Sequence, residues 1–136
     1  MSNINHEESS ENADNRTEKR KTGDLGEEVA CIYLKKLGYK IVERNYLRKY
    51  GEIDIVAKKG SLHYFIEVKS VTHETFGGYR PEENVHPWKL QRLRRVIQAY
   101  ILEKKVVEDW EFAVITVFLN MKTRRASVSF MENLVL

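Results

Sequence analysis

Charged side chains interrupt two segments that otherwise have the composition of buried strands. Residues 51–57 read GEIDIVA and residues 64–69 read YFIEVK, so both segments carry apolar side chains at successive positions. Apolar residues on both faces are typical of interior strands. Because side chains alternate between the two faces of a strand, Glu67 and Lys69 share one face. Charges in such positions cost free energy unless they are paired, so they indicate a site.

A hairpin between the two strands would bring the acids together. The pattern is consistent with a four-residue loop at 58–61 or a two-residue loop at 59–60, and the pairing that results sets Glu52 opposite Glu67. Asp54 then opposes Phe65 and is a diagonal neighbour of Glu67, roughly 7 to 8 Å away along the backbone. Two carboxylates at that separation could share an ion.

Several carboxylates in one partly buried place need more positive charge than one lysine provides. A divalent metal is the natural supplement, and Mg²⁺ prefers oxygen ligands. The single cysteine, Cys31, lies in a helical pattern without a nearby histidine, which argues against a zinc site. We therefore expect Mg²⁺, with Mn²⁺ as a substitute, to be held by Asp54 and Glu67.

Phosphodiester hydrolysis is the chemistry that fits this set of residues. The metal would polarise the phosphate and acidify a bound water, while Lys69 would stabilise charge on the phosphate. A Glu-x-Lys pair alone is also common at exposed strand edges, so the hypothesis depends on Asp54 from the neighbouring strand.

The elements that must position these residues can be predicted from periodicity. A helix is expected from Asp24, which could cap it with Glu27 in capping-box spacing, to a stop at Gly38. Glu27 borders the apolar face of this helix, so it is the acid nearer the protein body, although the capping role would also explain it.

The remaining elements give the order αβββαββ. Period-two patterns predict strands, and a second apolar stripe predicts a helix with Pro87 in its first turn. The strands are expected at 39–44, 52–57, 62–69, 112–119 and 126–131, the helix at 87–104, and a long loop at 70–86. This order predicts an α/β fold with a mixed central β-sheet flanked by helices.

The chain divides into a polar tail and one ordered domain. Residues 1–21 contain too few apolar side chains to offset the entropy of ordering and are expected to be disordered. Residues 22–136 form the expected domain, and 136 residues suit one domain rather than two. No apolar run is long enough to span a membrane, and the N-terminus lacks the pattern of a secretory signal, so a cytoplasmic protein is expected.

The quoted motifs resemble those of a known group of nucleases. Asp54 followed by Glu67-Val68-Lys69 resembles the core motif of the PD-(D/E)XK nuclease superfamily. Together with Gly26-Glu27 and residues 51–54 (GEID), it resembles the YraN-like family of predicted endonucleases over about residues 23–131. The resemblance implies a restriction-endonuclease-like sheet and a distant kinship to Holliday junction resolvases.

The resemblance also implies roles for individual residues. Asp54 and Glu67 become metal ligands, Lys69 the catalytic lysine and Glu27 an additional catalytic acid, with Glu52 as an accessory acid. Ala113 departs from the pattern, because relatives commonly have aspartate there. Weakened turnover would follow if that aspartate assists catalysis.

Basic residues suggest how a nucleic acid would be held. The net charge is +3 overall and +4 once residues 1–21 are excluded, a modest excess that suits a polyanion without requiring one. Lys89 and Arg92 on the second helix, and Arg80 in the long loop, are candidate phosphate contacts, although the two helical residues could equally form a solvated face. Trp88 beside the loop could stack on unpaired bases or belong to a local hydrophobic lid.

Three hypotheses follow for function. The first is a Mg²⁺-dependent endonuclease acting on DNA, including branched DNA, and dimeric by analogy with resolvases. The second is a nucleic-acid binding module on a nuclease scaffold with little or no turnover. The third is a protein-interaction domain whose charged face is an ion-pair network.

Overall fold

A computed structural model describes residues 14–72 and 87–136 of the chain. The predicted loop contact Arg80 and most of the predicted tail lie outside the described residues. Two helices and five strands follow one another in this part of the chain: α1 (Glu18–Lys36), β1 (Lys40–Arg48), β2 (Gly51–Lys59), β3 (Leu62–Thr72), α2 (Pro87–Lys104), β4 (Trp110–Asn120) and β5 (Arg125–Leu134).

The five strands form one sheet in the order β1-β2-β3-β4-β5. Strands β1, β2 and β3 are successive antiparallel neighbours, β3 and β4 run parallel, and β4 and β5 are antiparallel again. The predicted α/β class with a mixed sheet and helices is confirmed. Neither described helix is long and apolar enough to cross a membrane.

Each helix covers one face of the sheet. The α1 side packs Ala30 and Leu34 against Ile55, Ile66 and their neighbours. The α2 side is a second cluster, with Val96, Ile97 and Tyr100 against Val56, Phe65, Phe112 and Val114. Adjacent residues of the central strands enter opposite clusters, as the apolar pattern on both faces predicts.

Helix α1 begins earlier than its apolar stripe. Its N-cap is Thr17, whose Oγ1 accepts a hydrogen bond from the Arg20 backbone N–H at 3.1 Å, and its first residue is Glu18. The prediction that Asp24 caps the helix was therefore wrong, and residues 18–21 of the predicted tail are helical. Glu27 lies in the middle of the helix, so capping does not explain it.

The hairpin between β2 and β3 is shifted by two residues from the predicted register, so the prediction that Glu52 lies opposite Glu67 was wrong. Lys59 pairs with Leu62 across a two-residue turn, and Phe65 pairs with Val56 rather than with Asp54. The turn forms at Gly60-Ser61 because Gly60 supplies the positive φ, 61°, that such a turn needs at its first position. The loop still has two residues, so parity alone would place Asp54 and Glu67 on one face.

Strict alternation between the two faces does not hold around Asp54. Ile53 and Val56 both pack on the α2 side of the sheet, and the pairing of β2 with β3 ends at Ile55 and Ile66. The shared face predicted for Asp54 and Glu67 therefore does not follow from the observed strands.

Candidate active site

Three carboxylates converge where α1 crosses β2. One carboxylate oxygen from each of Glu27, Glu52 and Asp54 lies within 4.8 Å of the other two. Among the described residues this is the one group of three or more acids, histidines or cysteines arranged so closely. We call these three residues the acid cluster.

A close approach of α1 to β3 places Glu27 in this cluster. Gly26 is buried, and a Cβ added to it would lie 2.9 Å from the Cβ of Ser70 and closer still to the Ser70 hydroxyl. Any side chain at this position would force the helix away from the strand. Gly26 therefore sets the distance at which the next residue, Glu27, meets β2.

Asn45 of β1 lies between two of the acids. With its amide nitrogen turned toward them, the orientation that satisfies both groups, Asn45 donates to Glu27 Oε1 and Glu52 Oε1 at 2.9 Å each. Its backbone has a φ of 54°, which asparagine tolerates better than most residues. The cluster is thus bridged by a neutral amide.

The pKa values of the cluster reflect uncompensated negative charge. Burial is the largest cause that raises the pKa of Asp54 to about 7, and the charges of Glu27, Glu67 and Glu52 add to it. Burial and the charge of Glu52 also raise the pKa of Glu27. Like charges in a partly desolvated place disfavour one another's ionised form, and a cation would relieve them.

Asp54 connects the acid cluster to the β3 motif. Its Oδ2 accepts a hydrogen bond from the Val68 backbone N–H at 2.8 Å. Val68 stands between Glu67 and Lys69, and the charge of Glu67 contributes to the raised pKa of Asp54. The predicted set Glu27, Asp54, Glu67 and Lys69 is therefore brought to one region.

Glu67 differs from the acid cluster because it already has cationic partners. Its Oε1 lies 3.0 Å from Lys69 Nζ and 2.7 Å from Lys89 Nζ. Burial opposes ionisation, but the hydrogen bond from Lys89 and the charge of Lys69 outweigh it and lower the pKa of Glu67. We call Glu67, Lys69 and Lys89 the lysine cluster.

Lys69 stays protonated in these surroundings. Burial alone would lower its pKa, but the negative charge of Glu67 and the hydrogen bond to that carboxylate raise the pKa of Lys69. This agrees with the expectation that Lys69 acts as a positive charge rather than as a proton acceptor.

A cleft of about 490 Å³ opens beside the lysine cluster. Its polar lining includes Glu52, Glu67, Lys69, Lys89 and Arg92. Glu52 also lines a neighbouring cleft of about 340 Å³ with Glu27 and Asn45, so the two clusters border one continuous stretch of surface.

Sequence reasoning missed some of this geometry. Asn45 was not identified, although a polar residue in the middle of a strand pattern was a usable signal. Lys89 was expected to contact phosphate but not to bind Glu67, a contact that depends on how α2 packs. Ala113 is fully buried on the α1 side of the sheet, where it offers no polar group.

The acid cluster has the chemistry of a Mg²⁺ or Mn²⁺ site. All three side chains offer carboxylate oxygen, the donor that these ions prefer. The raised pKa values of Asp54 and Glu27 indicate negative charge that no neighbouring cation compensates. Glu67, predicted as a ligand, is not a member of this group and contacts two ammonium groups instead.

The fold and site define an α/β protein with an acid cluster and a lysine cluster beside one cleft. A family model described as "Uncharacterised protein family UPF0102" matches residues 26–117, and the chain belongs to this family. The match includes every residue of both clusters. It confirms, at the level of the family, the resemblance inferred from the motifs.

Relatives match over nearly their whole length. The UPF0102 protein of Wolinella succinogenes is 38% identical over 117 residues, which cover 86% of this chain and 98% of the relative. A UPF0102 protein of Clostridium acetobutylicum is 40% identical over 115 residues, covering 84% and 93%. One from Alkaliphilus metalliredigens is 41% identical over 103 residues, covering 75% and 89%.

Proposed function

We propose that the protein is a metal-dependent endonuclease of the PD-(D/E)XK type that hydrolyses DNA phosphodiester bonds. The observation that carries this proposal is the position of the acid cluster next to the lysine cluster, with Glu52 of the acid cluster lining the same cleft as the lysine cluster. Uncompensated acids suit a divalent cation, and fixed ammonium groups suit the phosphate that such a cation would bind.

The metal would be Mg²⁺, with Mn²⁺ as a substitute, and Asp54 is its central ligand. Glu27 and Glu52 lie close enough to complete the protein's share of the ligands. Glu67 is the second ligand expected from the motif. It would bind the metal only if the ion replaced one of its two lysine contacts. When bound, the ion would polarise the scissile phosphate and acidify a water.

The remaining residues bind and orient the phosphate. Lys69 is held against Glu67 and keeps its proton, so it offers a fixed positive charge to the phosphate oxygens. Lys89 supplies a second charge from α2, and Arg92 lines the same cleft one helical turn further on. These groups recognise backbone rather than base sequence.

Several finer expectations belong to this proposal. The mixed sheet covered by a helix on each face is compatible with a restriction-endonuclease-like arrangement. Branched DNA as substrate and a homodimer that cuts two strands follow from the resemblance to resolvases, and a cytoplasmic location follows from the N-terminal sequence pattern.

Cleavage of a set of DNA substrates tests the proposal. We expect the purified full chain with Mg²⁺ or Mn²⁺ to cut at least one of linear, nicked, single-stranded and four-way DNA, and expect the activity to vanish with chelator and in Asp54→Asn. Exposed Asp109 precedes β4, so Asp109→Asn serves as a control with unchanged activity. If all four substrates remain intact, or if Asp54→Asn cuts like the parent, the protein is not this nuclease.

A binding module without turnover is the second candidate. The observation that favours it is the lysine cluster, in which two ammonium groups already compensate Glu67 without a metal. This candidate predicts DNA binding that persists in chelator and is unchanged in Asp54→Asn, with no cleavage under any metal condition.

A further inference from the structure

Two exposed aromatic side chains stand at the cleft beside the lysine cluster. Trp88 is 58% exposed and Tyr50 is 39% exposed, and both line the cleft that contains Glu67 and Lys69. Within residues 14–72 and 87–136, they are the two aromatic side chains that are largely open to solvent. Large exposed aromatic surface gathered at one polar cleft is typical of a binding site.

Cationic groups hold and surround these two rings. The Arg92 guanidinium lies 5.7 Å from the centre of the Trp88 ring, and its Nε donates to the Tyr50 carbonyl oxygen at 3.2 Å. Lys49 and Arg95 approach the Tyr50 ring to 5.8 and 5.4 Å. Arg92 therefore links the two aromatic walls, and positive charge surrounds both.

This combination distinguishes among forms of nucleic acid. Phosphate contacts alone do not favour an unpaired strand, because a duplex carries the higher density of backbone charge. Aromatic side chains stack on the flat face of a base, and this contact suits every base. In a duplex that face is covered by the neighbouring base pair, so only an unpaired base can offer it.

We propose that the cleft binds DNA containing unpaired nucleotides, with bases stacked on both Trp88 and Tyr50 while the adjoining phosphate meets Lys69 and Lys89. The inference rests on the proposed function and deepens it, because it names the substrate class: single strands and the unpaired positions of branched DNA. Fully paired linear duplex is the poor substrate.

Binding in chelator, where cleavage cannot occur, tests this directly. Three fluorescent DNAs with the same number of phosphates would be compared: a single strand of mixed sequence, the same backbone with abasic sites, and a blunt duplex. We expect the single strand to bind at least about fivefold more tightly than either of the others, which is the low end of one stacking contact.

Variants of the two rings make the test specific. Trp88→Ala and Tyr50→Ala should each weaken binding of the single strand at least about fivefold and leave the abasic DNA unchanged. Trp88→Phe should retain most of the affinity. Leu102 is another exposed apolar residue of α2, at its far end, so Leu102→Ala controls for loss of exposed apolar surface.

The outcomes separate this inference from the proposed function. Equal affinity for all three DNAs, or an equal loss for single-stranded and abasic DNA in Trp88→Ala, would overturn the stacking inference. Metal-dependent cleavage of blunt duplex at the rate of the single strand would overturn it while the nuclease proposal stands. Failure to bind any of the three at low salt would overturn both.

Discussion

The acid cluster and the lysine cluster treat the negative charge of their carboxylates in opposite ways: one leaves it uncompensated and the other pairs it with cations. In the acid cluster, a neutral amide bridges two of the three carboxylates, and the pKa values of Asp54 and Glu27 are raised. In the lysine cluster, one carboxylate oxygen meets two ammonium groups, and the pKa of Glu67 is lowered. The two clusters are connected at β3, where the backbone N–H of Val68, the residue after Glu67, donates to Asp54.

This difference shows which of the two clusters has its charge balanced by the protein's own side chains. The lysine cluster carries its own counter-charge, whereas the acid cluster needs charge from outside. Metal-assisted hydrolysis of a phosphodiester needs a binding site for the metal cation next to a binding site for the phosphate anion. The difference between the clusters, rather than the number of charges, is what supports a hydrolytic site.

The largest expected effect follows from neutralising the centre of the acid cluster. Asp54→Asn should reduce metal-dependent cleavage about a thousandfold or more, since it removes a charged metal ligand, and each factor of ten corresponds to 1.36 kcal/mol in the barrier. Single-turnover kinetics in Mn²⁺ measure this. Asp109→Asn should match the parent protein, and a similar loss in both variants would contradict a specific role for Asp54.

The stability of the metal-free protein should fall as pH rises because of Asp54, and this direction is opposite to the one expected from Glu67. A folded-state pKa of about 7, raised from 3.8, means that the native state holds the proton more tightly, so stability is lost as pH rises between these values. From about pH 5 to about pH 8 we expect a loss of about 2 kcal/mol.

Urea unfolding across this pH range provides the measurement. In Asp54→Asn the loss should shrink, and this variant should be more stable than the parent at high pH because no buried charge forms. Glu67, with its lowered pKa, contributes in the opposite direction and only at acid pH, where its stabilising contribution is lost as pH falls. A parent protein whose stability rises steadily from about pH 5 to about pH 8 would contradict the description of the acid cluster.

The helix contact that places Glu27 in the acid cluster can be broken without touching a charge. Gly26→Ala should destabilise the protein by about 1 to 3 kcal/mol, the usual effect of overpacking, because the added Cβ meets Ser70. Cleavage should fall as well, since Glu27 moves away from Asp54. Ser70→Gly in the same chain should restore stability.

Gly23 provides a matched control for this substitution. It lies one turn earlier in α1, and a Cβ added there meets nothing within 4 Å. Gly23→Ala should therefore raise stability by up to about 1 kcal/mol through helix propensity. If thermal unfolding showed equal effects for the two glycines, the close approach at Gly26 would not govern the site.

The smallest effect is expected from removing one cation of the lysine cluster. Lys89→Met should slow cleavage about tenfold, which is close to the value of one charge-assisted hydrogen bond. The acid limb of the pH–rate profile should also move to higher pH, because the hydrogen bond from Lys89 lowers the pKa of Glu67. Arg94→Met removes a charge from the exposed side of the same helix and should leave the profile unmoved.

The fold could be predicted from the sequence where local pattern decides it. The period-two segments marked all five strands, and Pro87 and Lys104 bound α2 as predicted. The first turns of α1 were missed because residues 18–23 are polar and show no apolar stripe, and their helix depends on the Thr17 cap and on continuity with the apolar turns that follow. The register was missed because parity does not distinguish registers that differ by two residues, and the observed turn at Gly60-Ser61 was not among the predicted loops.

The site could be predicted only as far as strand parity extends. Parity predicts Asp54, Glu67 and Lys69 on one face for any even-numbered loop, but alternation fails between Ile53 and Val56 in the structure. The contact between Lys89 and Glu67, and the bridge from Asn45, depend on the packing of α2 and on the path of β1. No local pattern carries that information, so the division into two clusters emerged only from the structure.

Binding of a divalent cation to the metal-free chain tests the central claim most directly. Titration calorimetry with Mn²⁺ near neutral pH should show one ion per chain, with binding lost in Asp54→Asn and retained in Lys89→Met and Asp109→Asn. Protons should be released on binding, because the ion displaces them from the acid cluster. Absence of binding, or binding that is unchanged in Asp54→Asn, would contradict the assignment of the acid cluster as the metal site.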